Sequence, residues 1–441
     1  MSHFKPYPTY KDSGVEWIGK IPKHWKTKRL RFVATLNPAP DWKALAEQQA
    51  EYPFLPMEAI GETGELDASR RKALHECRSG YTYFADGDIA YAKVTPCFEN
   101  GKGAVIRNLV GGHGFGTTEL TVLRPTAASP DFLYALTYSQ SFRQPGAAEM
   151  LGSGGLKRVP DDFTRDYRAA LPPVPEQIAI ASALSRETAR IDALIAKKTR
   201  FIELLKEKRQ ALITRAVTKG LDPSVKMKDS GVEWIGEVPA HWEVLPSTWL
   251  FVESNERAHD EDEHLSATQK YGVIPLAEYE RLEGRQVTHA VKNLELRKHV
   301  EIDNFVISMR SFEGGIERVR ARGCVRSSYV VLLPEARAHV GFYAYLLKSS
   351  TYIQGLQATA SFIRDGQDLS YGNFRQVKLP APSMEEQQAI AAHLEGGIAR
   401  IDALALKTER SITLLKERRA ALITAAVTGK IDLRDSVVDE P

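Results

Sequence analysis

Two glycine clusters and a pair of histidines are the features of this 441-residue chain whose residue types could support catalysis or metal binding. GGHGFG (111–116) and GSGG (152–155) are similar in composition to phosphate-binding loops. Neither has the spacing of a nucleotide loop, which is GxxxxGK followed by Ser or Thr, or GxGxxG between a strand and a helix. We therefore predict that these glycines form turns or flexible loops.

Other chemical signals are equally incomplete. NPAP (37–40) lacks the aromatic residue with which the NPPY motif of amino-methyltransferases stacks on a flipped base, so no S-adenosylmethionine site is predicted. His24 and His241 recur in PxHW segments without a second recurring ligand, which favours packing or partner binding over metal ligation. Carboxylates and lysines form no recognisable nuclease cluster, and no helicase motif is present. We expect no catalytic residue, bound metal or cofactor in this chain.

Internal repetition is the strongest signal in the chain. KDSGVEWIGKIPKHW (11–25) returns as KDSGVEWIGEVPAHW (228–242), so Trp17, Pro22, His24 and Trp25 have counterparts 217 residues later. A second block starts at LPPVPEQ (171–177) and again at LPAPSMEEQ (379–387). The stretches between the blocks, 26–170 and 243–378, are similar in length but not in sequence. The chain therefore has two constant frames that carry variable inserts.

The second block predicts a long helix in each copy. After a proline-rich entry come about 44 residues rich in Ala, Leu, Glu, Lys and Arg, and apolar residues recur every seven positions. Two such helices would pack against each other along this seam. The predicted packing residues are Leu184, Ile191, Leu194, Phe201, Leu205, Leu212, Leu394, Ile401, Leu404, Ile412, Leu415 and Leu422.

Connectivity predicts how these helices run. The first helix ends just before 228, and the second begins where the second insert closes, so a compact insert makes the helices antiparallel. By the same rule, residues 11–25 should lie near the end of the second helix. The expected molecule is pseudo-twofold and circular, with the helices separating the inserts. The predicted segments are 1–170, 171–219, 220–378, 379–430 and a tail at 431–441.

Both inserts are predicted to be mixed α/β domains. DIAYAKV (88–94), ELTVLRP (119–125), NFVISMR (304–310) and SYVVLLP (328–334) have the apolar character of short strands. An amphipathic helical stretch follows at 132–144 and at 342–354. A polar loop then follows, LGSGGLKRVP in the first insert and SFIRDGQDLS in the second. The two inserts therefore share an order of elements.

These features resemble the specificity subunit of type I restriction-modification enzymes. The resemblance rests on the paired EQxxI segments, each shortly after a proline and at the start of a long helix, and on the GDI and LRP strands of the first insert, and it spans nearly the whole chain. It implies that the inserts are target recognition domains and the helices conserved spacers. It also implies double-stranded DNA, two methyltransferase subunits and two restriction subunits as partners, with S-adenosylmethionine, ATP and Mg²⁺ bound by those subunits. Each recognition domain would read half of a bipartite, asymmetric site.

Residues that could contact DNA follow from this resemblance. Lys and Arg neutralise phosphates, while Arg, Lys, Ser and Thr can also pair with base edges. The candidates in the first insert are Lys93, Thr95, Lys102, Thr117, Thr118, Lys157 and Arg158. Those in the second are Arg310, Ser311, Arg326, Ser327, Ser328, Tyr329 and Arg364.

Composition limits the alternatives. A hydrophobic content of 43% and a charged content of 26% are ordinary for a globular protein, and no apolar run reaches the length of a membrane span. The absence of an apolar N-terminal core and the presence of only three cysteines predict a cytoplasmic location. The net charge of +3 requires that any DNA-binding cations be concentrated on one surface. A self-contained enzyme and a structural coiled-coil scaffold remain as other function classes.

Overall fold

The computed structural model describes residues 4–434 except 49, 154, 285, 287–295, 309–310 and 360–369. The chain divides into two compact units. The first comprises residues up to Lys198 together with those from Arg410 onward, and the second is Thr199–Glu409. Each of the two long helices therefore contributes one part to each unit. No helix among the described residues is long and apolar enough to cross a membrane.

The first unit is a mixed α/β domain. Its strands are β1 (Tyr10–Asp12), β2 (Lys20–Pro22), β3 (Lys26–Arg29), β4 (Ala34–Leu36), β5 (Glu51–Leu55), β6 (Arg71–Ala73), β7 (Thr82–Ala85), β8 (Ile89–Ala92), β9 (Gly103–Val105), β10 (His113–Gly116), β11 (Leu120–Pro125), β12 (Leu151–Ser153), β13 (Leu156–Arg158) and β14 (Arg168–Leu171). Its helices are α1 (Trp42–Gln48), α2 (Leu74–Cys77), α3 (Cys97–Asn100), α4 (Pro130–Tyr138), α5 (Gln140–Ala148), α6 (Asp161–Asp166) and the start of α7 (Val174–Lys219).

The second unit repeats the same plan. Its strands are β15 (Met227–Asp229), β16 (Glu237–Pro239), β17 (Glu243–Pro246), β18 (Phe251–Ser254), β19 (Leu265–Thr268), β20 (Gly272–Pro275), β21 (Lys298–Val300), β22 (Phe305–Ile307), β23 (Glu317–Arg318), β24 (Gly323–Val325), β25 (Val330–Pro334) and β26 (Lys378–Ala381). Its helices are α8 (Leu276–Glu283), α9 (Ser311–Gly314), α10 (Val340–Leu346), α11 (Ser350–Ala358), α12 (Tyr371–Phe374) and the start of α13 (Met384–Val427).

An antiparallel four-stranded sheet is common to both units. Its order is β4-β11-β8-β9 in the first unit and β18-β25-β22-β23 in the second. All four apolar runs predicted as strands lie in this sheet, so the expectation of a shared α/β fold is confirmed. The units differ in their remaining strands. The first unit has a second four-stranded sheet, β6-β5-β10-β7, and the second unit has the pairs β19-β20 and β21-β24.

Two local expectations were wrong. The stretches 132–144 and 342–354 each contain two helices, because Ser139 and Ser349 adopt extended backbone angles between them. The Ser349 hydroxyl accepts a hydrogen bond from the Tyr352 N–H and so begins a new helix. The predicted loop after 150 is a β-hairpin, in which Leu151 pairs with Arg158 and Ser153 with Leu156. Its counterpart SFIRDGQDLS lies almost wholly outside the described residues.

The two long helices pack antiparallel within each unit. In the first unit, Asp192 of α7 forms an ion pair of 3.0 Å with Arg419 of α13. In the second unit, Arg209 of α7 lies 3.4 Å from Asp402. A Cβ at Gly397 would come within 2.9 Å of Leu212, so the absence of a side chain permits this close approach. The prediction of antiparallel helices is confirmed inside both units.

Burial separates the predicted packing residues into two groups. Leu184, Ile191, Leu205, Leu394, Ile401 and Leu422 are buried, and Leu212, Ile412 and Leu415 are half-buried. Leu194, Phe201 and Leu404, by contrast, are 48%, 43% and 47% exposed, so their assignment to the seam was wrong. Ile195 and Ile202, four residues beyond the seam positions, are half-buried. With 3.6 residues per turn, a residue four positions further on lies closer to the seam than the exposed residues three positions further on.

Glutamates in the first turn of the long helices bind the repeated PxHW segments. The Glu176 carboxylate accepts hydrogen bonds from the Trp25 indole at 3.0 Å and the Tyr7 hydroxyl at 2.9 Å, and it lies 2.8 Å from His24 Nε2. Glu386 lies 2.9 Å from His241 Nε2. In the first copy the histidine and the tryptophan both bind a glutamate of the other repeated block, and in the second copy the histidine does so.

These contacts also place each PxHW segment beside the end of a long helix. A Cβ at Gly429 would collide with Pro22 and approach Trp25, while one at Gly220 would lie 3.3 Å from Trp242. Residues 11–25 therefore lie beside the end of α13, as predicted. Burial and the neighbouring Glu176 raise the pKa of Tyr7, so its hydroxyl stays protonated as the donor.

The glutamine that follows each glutamate connects the long helix to the variable insert of the same unit. The Gln177 amide is 2% exposed; it accepts from the Ser129 N–H at 2.8 Å and donates to the Pro172 carbonyl at 2.9 Å. Gln387 likewise accepts from the His339 N–H and donates to the Pro382 carbonyl. Ser129 and His339 immediately precede α4 and α10. We call Trp25, Glu176 and Gln177, with Trp242, Glu386 and Gln387, the repeat frame.

Replacing Gln177 by Ala should loosen the first unit only. It leaves a buried N–H and a buried carbonyl without partners, which we expect to lower the free energy of unfolding by about 2 kcal/mol. Amide hydrogen exchange should accelerate around Ser129 and stay unchanged around His339. Gln387→Ala is the matched control and should give the reverse pattern. Equal acceleration at both sites in either variant would contradict independent frames.

Candidate nucleic-acid interface

Three segments of the first unit meet at one surface beside the end of β8. The Thr95 N–H donates to the Lys157 carbonyl at 3.0 Å, and the Val159 N–H donates to the Lys93 carbonyl at 2.8 Å. The Lys93 N–H donates to the Glu119 carbonyl at 2.9 Å. The hairpin β12-β13 and the turn 117–119 are thereby held against the segment that follows β8. Lys93, Thr95, Thr118, Lys157 and Arg158 therefore cluster, and we call this group the first polar surface.

Thr95 has a positioning role in this surface. Its hydroxyl accepts from the Lys157 N–H at 2.9 Å and lies 3.0 Å from the Gly155 carbonyl as a donor. Every described residue of 151–158 is exposed, so the hairpin has little packing of its own. Cross-segment hydrogen bonds such as these must supply its order. Lys157 is exposed beside Thr95 and has no ion pair among the described residues.

Arg158 is paired with a carboxylate that sequence reasoning missed. Its guanidinium donates to both oxygens of Glu119, at 2.8 and 2.6 Å. These bonds hold the pKa of the Glu119 carboxyl below its ordinary value. The pair orients the fork of Arg158 at the surface, where a phosphate could take the place of the carboxylate. The glutamate that follows Thr117 and Thr118 was the available signal, but its partner is 39 residues away.

Two predicted residues, both half-buried, form hydrogen bonds elsewhere in the first unit. The Lys102 ammonium donates to the Met57 carbonyl at 3.3 Å, so it faces a different loop. The Thr117 hydroxyl accepts from the Glu119 N–H at 3.3 Å and thereby closes the turn before β11. Thr118, in the same turn, is exposed.

A groove of about 380 Å³ adjoins the first polar surface. Lys93 and Thr118 line it together with Arg78, Trp42 and Tyr81. Trp42 stacks on Phe115 with 5.7 Å between ring centroids, which fixes its orientation. Cations interleaved with aromatic faces are the chemistry that nucleic acids bind. Arg78, Trp42 and Tyr81 were not among the predicted site residues, because they lie outside the predicted strands and turns.

The second unit presents a different set of side chains at the equivalent turn. Residues 326–329 precede β25 just as 117–119 precede β11, and the Tyr329 N–H closes the turn on the Arg326 carbonyl at 3.0 Å. Arg326, Ser327 and Ser328 are exposed, whereas Tyr329 is half-buried. Arg326 has no ion pair in the described part of the chain. We call residues 326–329 the second polar surface.

One candidate of the second unit is structural, and two fall outside the described residues. Ser311 is 1% exposed, and its hydroxyl accepts a hydrogen bond of 2.9 Å from the Ser308 N–H. Because it is buried, Ser311 cannot contact DNA, and its prediction as an interface residue was wrong. Arg310 and Arg364 lie outside the described residues.

The chain is similar to type I restriction enzyme specificity subunits. It is 38% identical over 186 residues to the EcoEI subunit and 37% identical over 178 residues to the EcoAI subunit, both of Escherichia coli. These matches cover 41% and 39% of the chain but only 31% and 29% of the relatives' length. The putative MjaX subunit of Methanocaldococcus jannaschii is 21% identical over 439 residues, which is 95% of this chain and 96% of that protein. No family model matches the chain.

Solved structures share the fold. A chain from a type I restriction-modification system aligns with a TM-score of 0.72 at 16% identity, covering 93% of this chain and 99% of that one. The HsdS subunit of Thermoanaerobacter tengcongensis aligns with a TM-score of 0.54 at 16% identity, covering 93% and 98%. The chain thus shares its fold with an HsdS subunit, and in this chain that fold consists of two α/β units with two long helices. The chain is thus similar in sequence to type I restriction enzyme specificity subunits, as its repeated motifs predicted.

Replacing Thr95 by Val should release the hairpin without unfolding the unit. The substitution keeps the shape of the side chain and removes the hydroxyl that binds the hairpin backbone at two points. We expect faster amide exchange and faster proteolysis within 151–158, with little change in the urea midpoint. Thr118→Val, in the exposed turn, is the matched control. Unchanged exchange in the Thr95 variant would show that the hairpin is ordered by other contacts.

Proposed function

We propose that this chain is the DNA-recognition subunit of a type I restriction-modification complex. The observation that carries the proposal is that two domains with the same repeat frame and the same sheet present different polar groups at equivalent turns and, in the first domain, on the segments packed beside that turn. The first polar surface offers Lys93, Thr118, Lys157 and Arg158, and the second offers Arg326, Ser327 and Ser328. Each domain then reads one half of a bipartite, asymmetric site, and the long helices set the spacing between the halves.

The residue types suit both parts of DNA recognition. Exposed Lys157 and the carboxylate-paired Arg158 suit phosphates, whose neutralisation dominates affinity and makes it salt-dependent. Arg326 can form two hydrogen bonds with the major-groove edge of guanine, and serine hydroxyls can donate to or accept from base edges. With a net charge of only +3, such a protein depends on local clusters for its affinity.

The chemistry belongs to partner subunits in this proposal. Two methyltransferase subunits and two restriction subunits assemble with the chain in the cytoplasm, and they bind S-adenosylmethionine, ATP and Mg²⁺. Exposed apolar side chains on the long helices support docking. In the second unit, Phe201 and Leu204 lie three residues apart on one helix face and are 43% and 46% exposed. Leu404 is 47% exposed on the other helix.

Replacing Arg326 by Ala should alter one half of the recognised sequence. We expect a loss of about 10- to 100-fold in discrimination at one or two bases of that half, the scale of a lost bidentate contact. The measurement is the methylated motif, read by sequencing DNA exposed to the chain reconstituted with its methyltransferase subunits. Arg158→Ala, which removes a phosphate contact, is the contrasting variant and should weaken binding without changing base discrimination in either half. Changes in both halves from one substitution would contradict two independent readers.

A methylation assay on the isolated chain tests the alternative of a self-contained enzyme. Turnover of labelled S-adenosylmethionine without a partner would contradict the proposal, as would footprints of the complex that do not depend on DNA sequence.

Replacing Phe201 and Leu404 together by Ser should weaken assembly with the methyltransferase subunits. Burial of each large apolar side chain contributes about 1.5 to 3 kcal/mol, so the double variant should lose at least 10-fold in affinity in analytical ultracentrifugation. Val252→Ser removes an apolar side chain that is also 43% exposed but lies in β18, and it should assemble normally. Normal assembly of the double variant would place the docking surface elsewhere.

A further inference from the structure

A cluster of histidines and carboxylates in the second unit contains none of the residues that form the polar surfaces described above. Glu256 and His259 lie in the loop between β18 and β19, and His299 lies in β21. One ligand atom from each of these three residues lies within 4.8 Å of the others. Among the described residues, this is the one group of three such side chains.

Hydrogen bonds orient the members of the cluster. Asp262 Oδ2 lies 2.8 Å from His299 Nδ1 and also accepts the His259 N–H at 2.8 Å. With Nδ1 held by a carboxylate, Nε2 becomes the ligating nitrogen of His299, and it lies 3.1 Å from a Glu301 carboxylate oxygen. His259 Nε2 lies 3.1 Å from a Glu256 oxygen. The two imidazole rings stack with 4.3 Å between their centroids.

Asp262 supplies an independent indication of a missing charge. Its side chain is 1% exposed, yet its Oδ1 has no hydrogen-bond partner in the described part of the chain. A buried carboxylate oxygen without a donor is costly unless positive charge lies close by. A cation on the far nitrogen of His299 would provide that charge through the imidazole, the arrangement in which an outer carboxylate orients a metal-bound histidine.

From this geometry we propose that Glu256, His259 and His299 bind a divalent zinc-type cation, with Asp262 as the carboxylate that orients His299. Two imidazole nitrogens and a carboxylate oxygen are ligands that zinc prefers, and a fourth position remains for Glu301 or water. Zinc bonds of 2.0–2.2 Å place tetrahedral ligands about 3.4 Å apart. The Glu256 oxygen and His259 Nε2 lie 3.1 Å apart, close to that spacing. His299 must approach them, and the stacked rings must turn so that both nitrogens face the cation.

The site would brace the second polar surface. The loop carrying Glu256 and His259 is joined to β21 by the Arg257–Lys298 bridge, and β21 pairs with β24. β24 ends at Val325, and residues 326–329 follow directly. A cation bound between the loop and β21 would therefore stabilise β21 and β24, and β24 leads directly into the turn at 326–329. This inference concerns metal binding alone and stands whether or not the turn contacts DNA.

Zinc binding by the full chain tests the inference. After treatment with a chelator, the protein is dialysed against micromolar ZnCl₂, and bound metal is measured by mass spectrometry. Co²⁺ is used as a spectroscopic probe, because a tetrahedral site gives intense visible absorption. His259→Gln removes one ligand whose side chain is 43% exposed, so the fold should survive, as circular dichroism will show. His75→Gln, an exposed histidine of the first unit, is the matched control.

The wild type and the His75 variant should each bind one zinc per chain and show the Co²⁺ absorption. The His259 variant should lose both, and Asp262→Asn should weaken zinc binding by about 10- to 100-fold. Zinc should also raise the Tm of the wild type and the control only, because a ligand stabilises the state that binds it. Absence of stoichiometric zinc in the wild type, or equal binding by the His259 variant, would overturn the inference.

Discussion

The fold of each unit depends on two side chains in the first turn of a long helix. Glu176 and Glu386 bind the PxHW segments, and Gln177 and Gln387 bind the backbone immediately before the first helix of each insert. An acidic residue at this position also interacts favourably with the helix dipole. These few polar contacts thus connect the long helix, the repeated segment and the variable insert of each unit. The hydrogen bonds require a carboxylate at the first position and an amide at the second.

The two copies of the repeat frame are not identical. Trp25 donates its indole N–H to Glu176, whereas the Trp242 indole nitrogen is buried and has no hydrogen-bond partner among the described residues. Glu176 is correspondingly more buried than Glu386, with 9% against 26% of the side chain exposed. The frame therefore tolerates the loss of one hydrogen bond when packing around tryptophan is kept. Such tolerance allows two diverged halves to retain one architecture.

The two units differ mainly in segments that do not contact the repeat frame. The four-stranded sheet next to the frame has the same strand order in both units. Among the other strands, β5, β6, β7 and β10 form a second four-stranded sheet in the first unit, whereas the second unit has the pairs β19-β20 and β21-β24. The turns before β11 and β25 share a position but carry Thr-Thr-Glu and Ser-Ser-Tyr. A backbone hydrogen bond closes each turn, from the Leu120 N–H to the Thr117 carbonyl and from the Tyr329 N–H to the Arg326 carbonyl. The exposed side chains of these turns can therefore change with little effect on the fold.

The repeats, the two long helices, the strands of the shared sheet and the antiparallel helix direction could be predicted from the amino-acid sequence, because they follow from local periodicity and chain connectivity. Which candidate residues reach the surface depends on tertiary contacts. Ser311 is buried, Arg158 is paired with Glu119, and Leu194, Phe201 and Leu404 are exposed. The hairpin at 151–158 and the cluster around His299 likewise depend on segments distant in sequence. Burial and hydrogen-bond partners are set by residues tens to hundreds of positions away, and no local pattern encodes them.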